Sequence, residues 1–112
     1  MMSANRRRGE IAATIAGRDC VLCLTLGALA ELETAFGVDD LGALAERFAS
    51  GRLSARDLTR IIAAGLRGAG MAVSDDDVAG MMVDGGIAGF ARIVADLLKA
   101  TFGDAGEARS DP

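Results

Sequence analysis

The sequence predicts an α+β fold: an N-terminal two-stranded antiparallel β-hairpin followed by a bundle of about five short helices. Apolar residues alternate with a period of two from Glu10 to Leu26, which is typical of strands with one buried face. Beyond Leu26, apolar residues recur at intervals of three and four, which is typical of amphipathic helices. The two patterns meet between Leu24 and Gly37, so we expect the first helix to cover the hairpin.

Composition limits the classes of protein that the chain can represent. Half of the 112 residues are apolar, yet aromatics make up only 4%, so the core must be built mainly from aliphatic side chains. The net charge of −4 argues against a nucleic-acid-binding surface spread over the domain. No apolar run approaches the roughly 18 residues of a membrane span, and no clean hydrophobic segment of a signal peptide follows the early arginines. We expect a cytoplasmic protein without a membrane partner.

The ends of the chain differ from its middle. We expect residues 1–9 to form a flexible basic arm, residues 10–103 a single α+β domain and residues 104–112 a disordered tail. Arg6, Arg7 and Arg8 fit either a solvated tail or an electrostatic contact with an acidic partner.

The hairpin is predicted to have one strongly apolar face. The first strand places Ile11, Ala13 and Ile15 on that face, and a turn at Gly17 and Arg18 leads to the second strand. A two-stranded hairpin is marginal alone, so helices must cover one face. The opposite face is also short of charge, and we expect a partner or a second copy to cover part of it. The second strand contributes Cys20, Leu22, Leu24 and Leu26 to the apolar face, and Val21, Cys23 and Thr25 to the other.

Capping signals place the helices. Ser54 and Ser74 are each followed by an aspartate at the third helical position, which is the pattern of a capping box. The fourth helix is expected to run to about Met82, and the last, after Asp84-Gly85-Gly86, is the longest. The predicted N-caps are Thr25, Asp39 or Asp40, Ser54 and Ser74, and the predicted ends of the first three helices are Gly37, Gly51 and Gly68.

Cys20 and Cys23 have the CxxC spacing of redox and zinc motifs. Residues three apart in a strand point to opposite faces, and there is no histidine or third cysteine. We therefore expect two separate buried thiols.

Other chemical motifs are also weak. The aspartates at positions 75–77 lack the pattern of an EF-hand loop and fit helix capping. The glycine-rich run at 65–70 follows a helix rather than a strand, which disfavours a phosphate loop. We predict a protein that is not an enzyme, with no catalytic or metal residues, no cofactor and no small-molecule substrate.

Methionine and valine around the fourth helix suggest an adaptable binding surface. The alternative is that these methionines fill gaps in a small core. Together with two residues from the second face of the hairpin, the candidate partner-binding residues are Met71, Val73, Val78, Met81, Met82, Val21 and Cys23.

A series of short segments, in this order and spacing, resembles the gene transfer agent family of small phage-tail proteins of alphaproteobacteria. That family is encoded between the major tail protein and the tape-measure protein of a phage-like particle. The resemblance covers about residues 8–103. The segments are Arg8-Gly9-Glu10, Leu22-Cys-Leu-Thr-Leu-Gly-Ala-Leu-Ala-Glu-Leu-Glu33, Leu44-Ala-Glu-Arg-Phe48, Leu53-Ser-Ala-Arg-Asp57, Ala64-Gly-Leu-Arg-Gly68 and Val73-Ser-Asp-Asp-Asp77-Val78.

The family has been described both as a tail-tube protein and as a tail-assembly chaperone. A tube subunit needs long strands that add edge to edge into a ring, and one hairpin falls short of that. The resemblance thus implies a chaperone that binds hydrophobic helices of the tape-measure protein, or another tail protein, in a groove. The alternatives are a structural tail component, in which the hairpin edges augment a neighbouring sheet, and a regulatory adaptor that uses the basic arm. A homo-oligomer remains open, and nucleic acid is not an expected partner.

Overall fold

A β-hairpin and five α-helices make up residues 4–103, the part of the chain that the computed structural model describes. This arrangement confirms the predicted fold class. In chain order the elements are β1 (Glu10–Ile15), β2 (Arg18–Cys23), α1 (Leu26–Phe36), α2 (Leu41–Ala49), α3 (Ala55–Gly68), α4 (Asp75–Ala79) and α5 (Gly86–Phe102).

The two strands are joined by a two-residue turn at Ala16 and Gly17. Both residues have positive φ, 55° and 76°, which is the backbone combination of a type I′ turn. Such a turn matches the right-handed twist of the strands and pairs Ile15 with Arg18. The turn therefore lies one residue earlier than predicted, and Arg18 is the first residue of β2.

One face of the hairpin is buried, as the alternation predicts. Leu26 does not belong to that face: it is the first residue of α1 and is 78% exposed. The strand ends at Cys23, and Thr25 caps the helix, so the apolar residue that continued the alternation falls outside the sheet. The buried residues of the hairpin and its exit are Ile11, Ile15, Cys20, Leu22 and Leu24.

Helices α3 and α5 cover the hairpin, and α1 packs mainly on α3 and α2. The expectation that the first helix covers the hairpin is therefore wrong. Two glycines on α3 explain the close approach: a Cβ atom at Gly68 would lie 2.0 Å from the Cys23 carbonyl oxygen, and one at Gly65 would lie 3.2 Å from Leu22 Cβ. A side chain at Gly68 would force α3 away from the β2 backbone, and one at Gly65 would crowd Leu22.

Side chains cap four of the five helices at predicted positions. Thr25 Oγ1 accepts from the Ala28 amide at 3.1 Å, and Asp40 Oδ1 accepts from the Ala43 amide at 2.7 Å. Ser54 and Ser74 form the predicted capping boxes with the aspartates three residues later.

Helix α4 ends three residues earlier than predicted. Ala79 is its last residue, and Gly80 is its C-cap. The Met81 amide donates to the Val78 carbonyl at 3.0 Å, which closes a tight turn after the helix. Met82 therefore lies in the connection between α4 and α5.

One hydrophobic cluster joins the hairpin to the helices. Phe36 and Phe48 meet edge to face with ring centroids 5.2 Å apart, and the Arg47 guanidinium lies 5.3 Å from the Phe36 ring centroid. Among residues 7–103 no polar or charged residue is buried. The largest fully buried side chains are Ile11, Ile15, Leu22, Leu32, Leu44, Ile61, Ile62, Leu66, Val94 and Leu97.

The segment before β1 forms a single 3-10 turn at Arg6–Arg8. The amides of Arg8 and Glu10 donate to the Asn5 carbonyl at 2.9 and 3.1 Å. The flexible arm at 1–9 and the domain bounds at 10–103 stay predictions. The predicted tail at 104–112 lies outside the described residues.

Asp57 joins the cap of α3 to α2. Its carboxylate accepts from the Ser54 amide at 3.0 Å and from Arg47 Nη2 at 3.1 Å. Burial alone would raise the pKa of Asp57, but hydrogen bonds from Ser54 and the charge of Arg47 outweigh burial and lower this pKa. A lowered pKa in the folded state stabilises the fold above the ordinary carboxyl pKa, and this stabilisation is lost as the pH falls through the folded-state pKa.

We expect Asp57→Asn to lower the free energy of unfolding at pH 7 by about 1 kcal/mol, the usual size of a helix-capping contribution. The loss should shrink as the pH falls from the ordinary carboxyl pKa through the lower folded-state pKa, because the wild-type carboxyl group is then protonated in both states. Urea unfolding at pH 7 and in acid measures both effects. Asp39→Asn, at an exposed aspartate between α1 and α2, is the control and should change little. An equal loss at both pH values would contradict the linkage.

Candidate partner-binding site

The two cysteines lie on opposite faces of β2, as predicted. Cys20 is buried, as expected, and pairs across the hairpin with Ala13. Cys23 pairs with Glu10 and is only half-buried, because it lies on the outer face of β2, so the expectation of a buried thiol is wrong there. Both thiols are free. Burial and the Glu10 carboxylate raise the pKa of Cys23 against the opposing effect of Arg8. Less thiolate forms at neutral pH, so the geometry does not create an activated nucleophile.

The aspartates at the start of α4 serve local structure. Asp77 completes the capping box, and Asp75 pairs with Arg67 at 3.2 Å. Arg67 also pairs with Glu31 of α1 and donates to the Val73 carbonyl at 3.0 Å. The hydrogen bond with Glu31 is the main cause that raises the pKa of Arg67. Across residues 4–103, histidine, cysteine, aspartate and glutamate form no group of three or more that could hold a metal ion.

The predicted partner-binding residues near α4 differ in exposure. Val78 is 2% exposed and belongs to the core. Met71, Val73 and Met81 are half-buried and pack against that core, whereas Met82 is 78% exposed. The structure therefore places gap-filling residues and a surface residue side by side.

The two hairpin residues of the predicted set lie elsewhere. Val21 and Cys23 are half-buried on the outer face of β2, opposite Ala12 and Glu10 of β1. The seven residues thus fall into two separate regions, and their role in partner binding stays a prediction.

An apolar groove lies between α3, α4 and α5. Its volume is about 130 Å³, below the roughly 300–1,000 Å³ of small-molecule pockets, so it suits an inserted side chain. Ile87 stands beside it with 69% of its surface exposed. The groove is lined by Ala55, Leu58, Thr59, Ile62, Val78, Ala79, Ile87 and Phe90.

The sequence does not identify most of this groove as a site. The helical period identifies Leu58, Ile62 and Phe90 as apolar-face residues, and such residues are more often core than surface. Ile87 follows the same stripe of α5, but it lies in the first turn of that helix. Nothing in the period distinguishes Ile87 from its buried neighbours.

A second groove, of about 510 Å³, runs between β1 and α5. Ile15 and Arg18 flank a two-residue turn, so they form a hydrogen-bonded pair of the antiparallel ladder. Hydrogen-bonded and non-hydrogen-bonded pairs alternate along such a ladder, so the backbone amides and carbonyls of Ala12 and Thr14 point away from β2. No other described segment hydrogen-bonds with them through its backbone. The edge is closed at both ends: the Glu10 amide donates to Asn5, and the Ala16 amide donates to the Met82 carbonyl at 2.8 Å.

Comparison with known protein families gives a match over residues 8–104 to the family described as phage tail tube protein, GTA-gp10. The matched range includes the hairpin, all five helices and both grooves. No curated protein and no solved structure matches the chain. Among the described residues, no helix combines the length and apolar character needed to cross a membrane.

Proposed function

We propose that this chain, which belongs to the GTA-gp10 family of phage tail tube proteins, is a tail-assembly chaperone of a gene transfer agent. The role of such a family is in tail structure rather than in catalysis. In our proposal the chain binds hydrophobic helices of the tape-measure protein in the cytoplasm, before the tube assembles around them. The observation that supports this role best is the apolar groove between α3, α4 and α5, with exposed Ile87 beside it.

The groove suits an amphipathic helix. Its walls come from three helices, and its lining is mostly apolar, so one anchor side chain of a partner helix would be desolvated there. Exposed apolar side chains beside such a groove enlarge the surface that a helix can cover, and Ile87 supplies one. The described residues contain only two strands, which are too few for a ring wall built by this chain alone.

A structural component associated with the tube is the second candidate. The family description favours it, and so does the free edge of β1, because tube proteins associate through strand edges. In this case the chain would remain in the finished particle.

Mass spectrometry of purified particles separates the two candidates. A chaperone is expected in cell lysate, bound to tape-measure protein, and in far less than stoichiometric amount in particles. A constant stoichiometric amount in particles would overturn the chaperone proposal and support the structural component.

Ile87→Asp tests the groove directly. We expect binding to tape-measure helical fragments to weaken at least tenfold, because a carboxylate would have to be desolvated beside the apolar anchor. The fold should tolerate the change, since an acidic residue in the first turn of a helix is favourable, and α5 has none there.

Leu26→Asp is the matched control. Leu26 is a similarly exposed apolar residue in the first turn of α1, which also lacks an acidic residue there. It does not line the groove. Isothermal titration calorimetry with both variants gives the comparison. Equal affinities for the two variants would exclude the groove as the binding site.

A further inference from the structure

We propose that β1 pairs with β1 of a second copy of this chain. The two strands would run antiparallel across a twofold axis at Ala13, and the two hairpins would form one four-stranded sheet. The proposal goes beyond the tail role, since it assigns the occupant of the groove between β1 and α5.

The free part of the edge is symmetric about Ala13. Ala12 and Thr14 on either side of it direct their backbone donors and acceptors outward, and no described backbone group pairs with them. Glu10 and Ala16, each three residues from Ala13, have amides that already donate to Asn5 and Met82. The free window is therefore centred on Ala13, and a twofold pairing requires such a self-complementary segment.

An antiparallel copy satisfies this window fully. With Ala13 facing Ala13 of the second copy, Ala12 faces Thr14 of that copy, and each such pair exchanges two hydrogen bonds. The twofold axis generates the same pair a second time. The amide and the carbonyl of Ala12 and of Thr14, four groups in each copy, therefore all gain hydrogen-bond partners. Strand pairing requires no rearrangement of the hairpin, because these groups point away from β2.

Side chains along the edge permit close approach. Ala12, Ala13 and Thr14 are small and uncharged, so strands can meet at the ordinary spacing without burying a charge. Strand pairing is confined to these three residues, because Asn5 and Met82 already occupy the edge at Glu10 and Ala16.

The groove beside β1 is lined by equal numbers of acidic and basic side chains. Two acidic residues, Asp84 and Asp96, and two basic residues, Arg92 and Lys99, line the groove beside β1. A second copy brings the same balanced set in the reverse direction, so acidic and basic side chains can face each other across the axis. The net charge of −4 therefore does not concentrate at this interface.

Sedimentation equilibrium over a wide concentration range tests the pairing with the whole chain. We expect a reversible dimer in the native protein and at least a tenfold larger dimer dissociation constant in Ala12→Pro. Proline removes the outward amide of Ala12 without removing a bond to β2. Val21→Pro is the control: Val21 is the cross-strand partner of Ala12, its amide faces the other edge of the hairpin, and the dimer should persist.

Amide hydrogen exchange of the native chain gives a second measurement that does not depend on a proline variant folding. The amides of Ala12 and Thr14 should exchange more slowly as concentration rises, whereas the amide of Val21 should not respond. A native chain that stays monomeric at all concentrations would overturn the proposal. So would a dimer in which the Ala12 and Thr14 amides gain no protection. Either result would leave binding of tape-measure fragments, and hence the proposed function, unaffected.

Discussion

Gly68→Ala is expected to lower the free energy of unfolding by roughly 1–3 kcal/mol, the range for overpacked sites. A Cβ atom at this position would lie 2.0 Å from the Cys23 carbonyl oxygen and 3.5 Å from the Thr25 amide nitrogen. The obstructing atoms are backbone, which cannot turn away as the end of a flexible side chain can. The last turn of α3 must then move off β2, and the packing of Gly65 on Leu22 is disturbed with it. Urea unfolding followed by circular dichroism measures the change.

Gly27→Ala is the control for this prediction. Gly27 is also helical, but a Cβ atom there would meet nothing closer than Thr25 Oγ1, at 3.8 Å. Alanine has the higher helix propensity, so this variant should be neutral or more stable by up to about 1 kcal/mol. If Gly68→Ala also proved neutral, the close approach of α3 to β2 would be wrong.

Leu22→Ala should cost about 2–5 kcal/mol, the range for large-to-small changes in a core. Leu22 is fully buried at the point where β2 meets α3, within van der Waals distance of a side chain placed at Gly65. The glycine cannot extend into the space that the missing methyl groups leave, so the cavity should collapse poorly. For a domain of this size such a loss is a large part of the total stability. Thermal and urea unfolding both measure it.

Leu26→Ala removes the same atoms from an exposed position. Leu26 precedes the buried part of α1 and is 78% exposed. Its replacement should therefore change the free energy of unfolding by no more than about 0.5 kcal/mol. Comparing the two variants isolates the effect of burial on stability, because both remove a leucine from the same alternating apolar pattern. Similar losses for the two would contradict the boundary between β2 and α1.

Local features were predictable because they depend on neighbouring residues. Thr25, Ser54 and Ser74 cap helices through amides three residues away, so their spacing alone identifies them. The turn was misplaced by one residue since it requires positive φ at Ala16, a conformation that alanine seldom adopts. Met82 was assigned to α4 because its apolar side chain continued the helical pattern past Gly80.

The candidate site was less predictable. A methionine or valine at helical spacing looks the same whether it fills the core, as Val78 does, or faces solvent, as Met82 does. Ile87 carries the exposed apolar surface of the α3–α4–α5 groove, and it lies in the same stripe as buried residues of its helix. The exposure of Ile87 depends on where the neighbouring helices end. It is therefore set by the arrangement of α3, α4 and α5 together.

The sequence by itself determined the fold class, the buried face of the hairpin, four helix caps and the divergence of Cys20 and Cys23. These follow from periodicity and short-range hydrogen bonding. The tertiary structure alone decided which helices cover the hairpin and which backbone groups stay free at the edge of β1. The reason is that Gly65 and Gly68 matter because they have no side chain. This absence has an effect only where β2 packs directly against them, which the local sequence does not reveal. Likewise, the edge at Ala12 and Thr14 is free because distant segments, at Asn5 and Met82, pair only with its two ends.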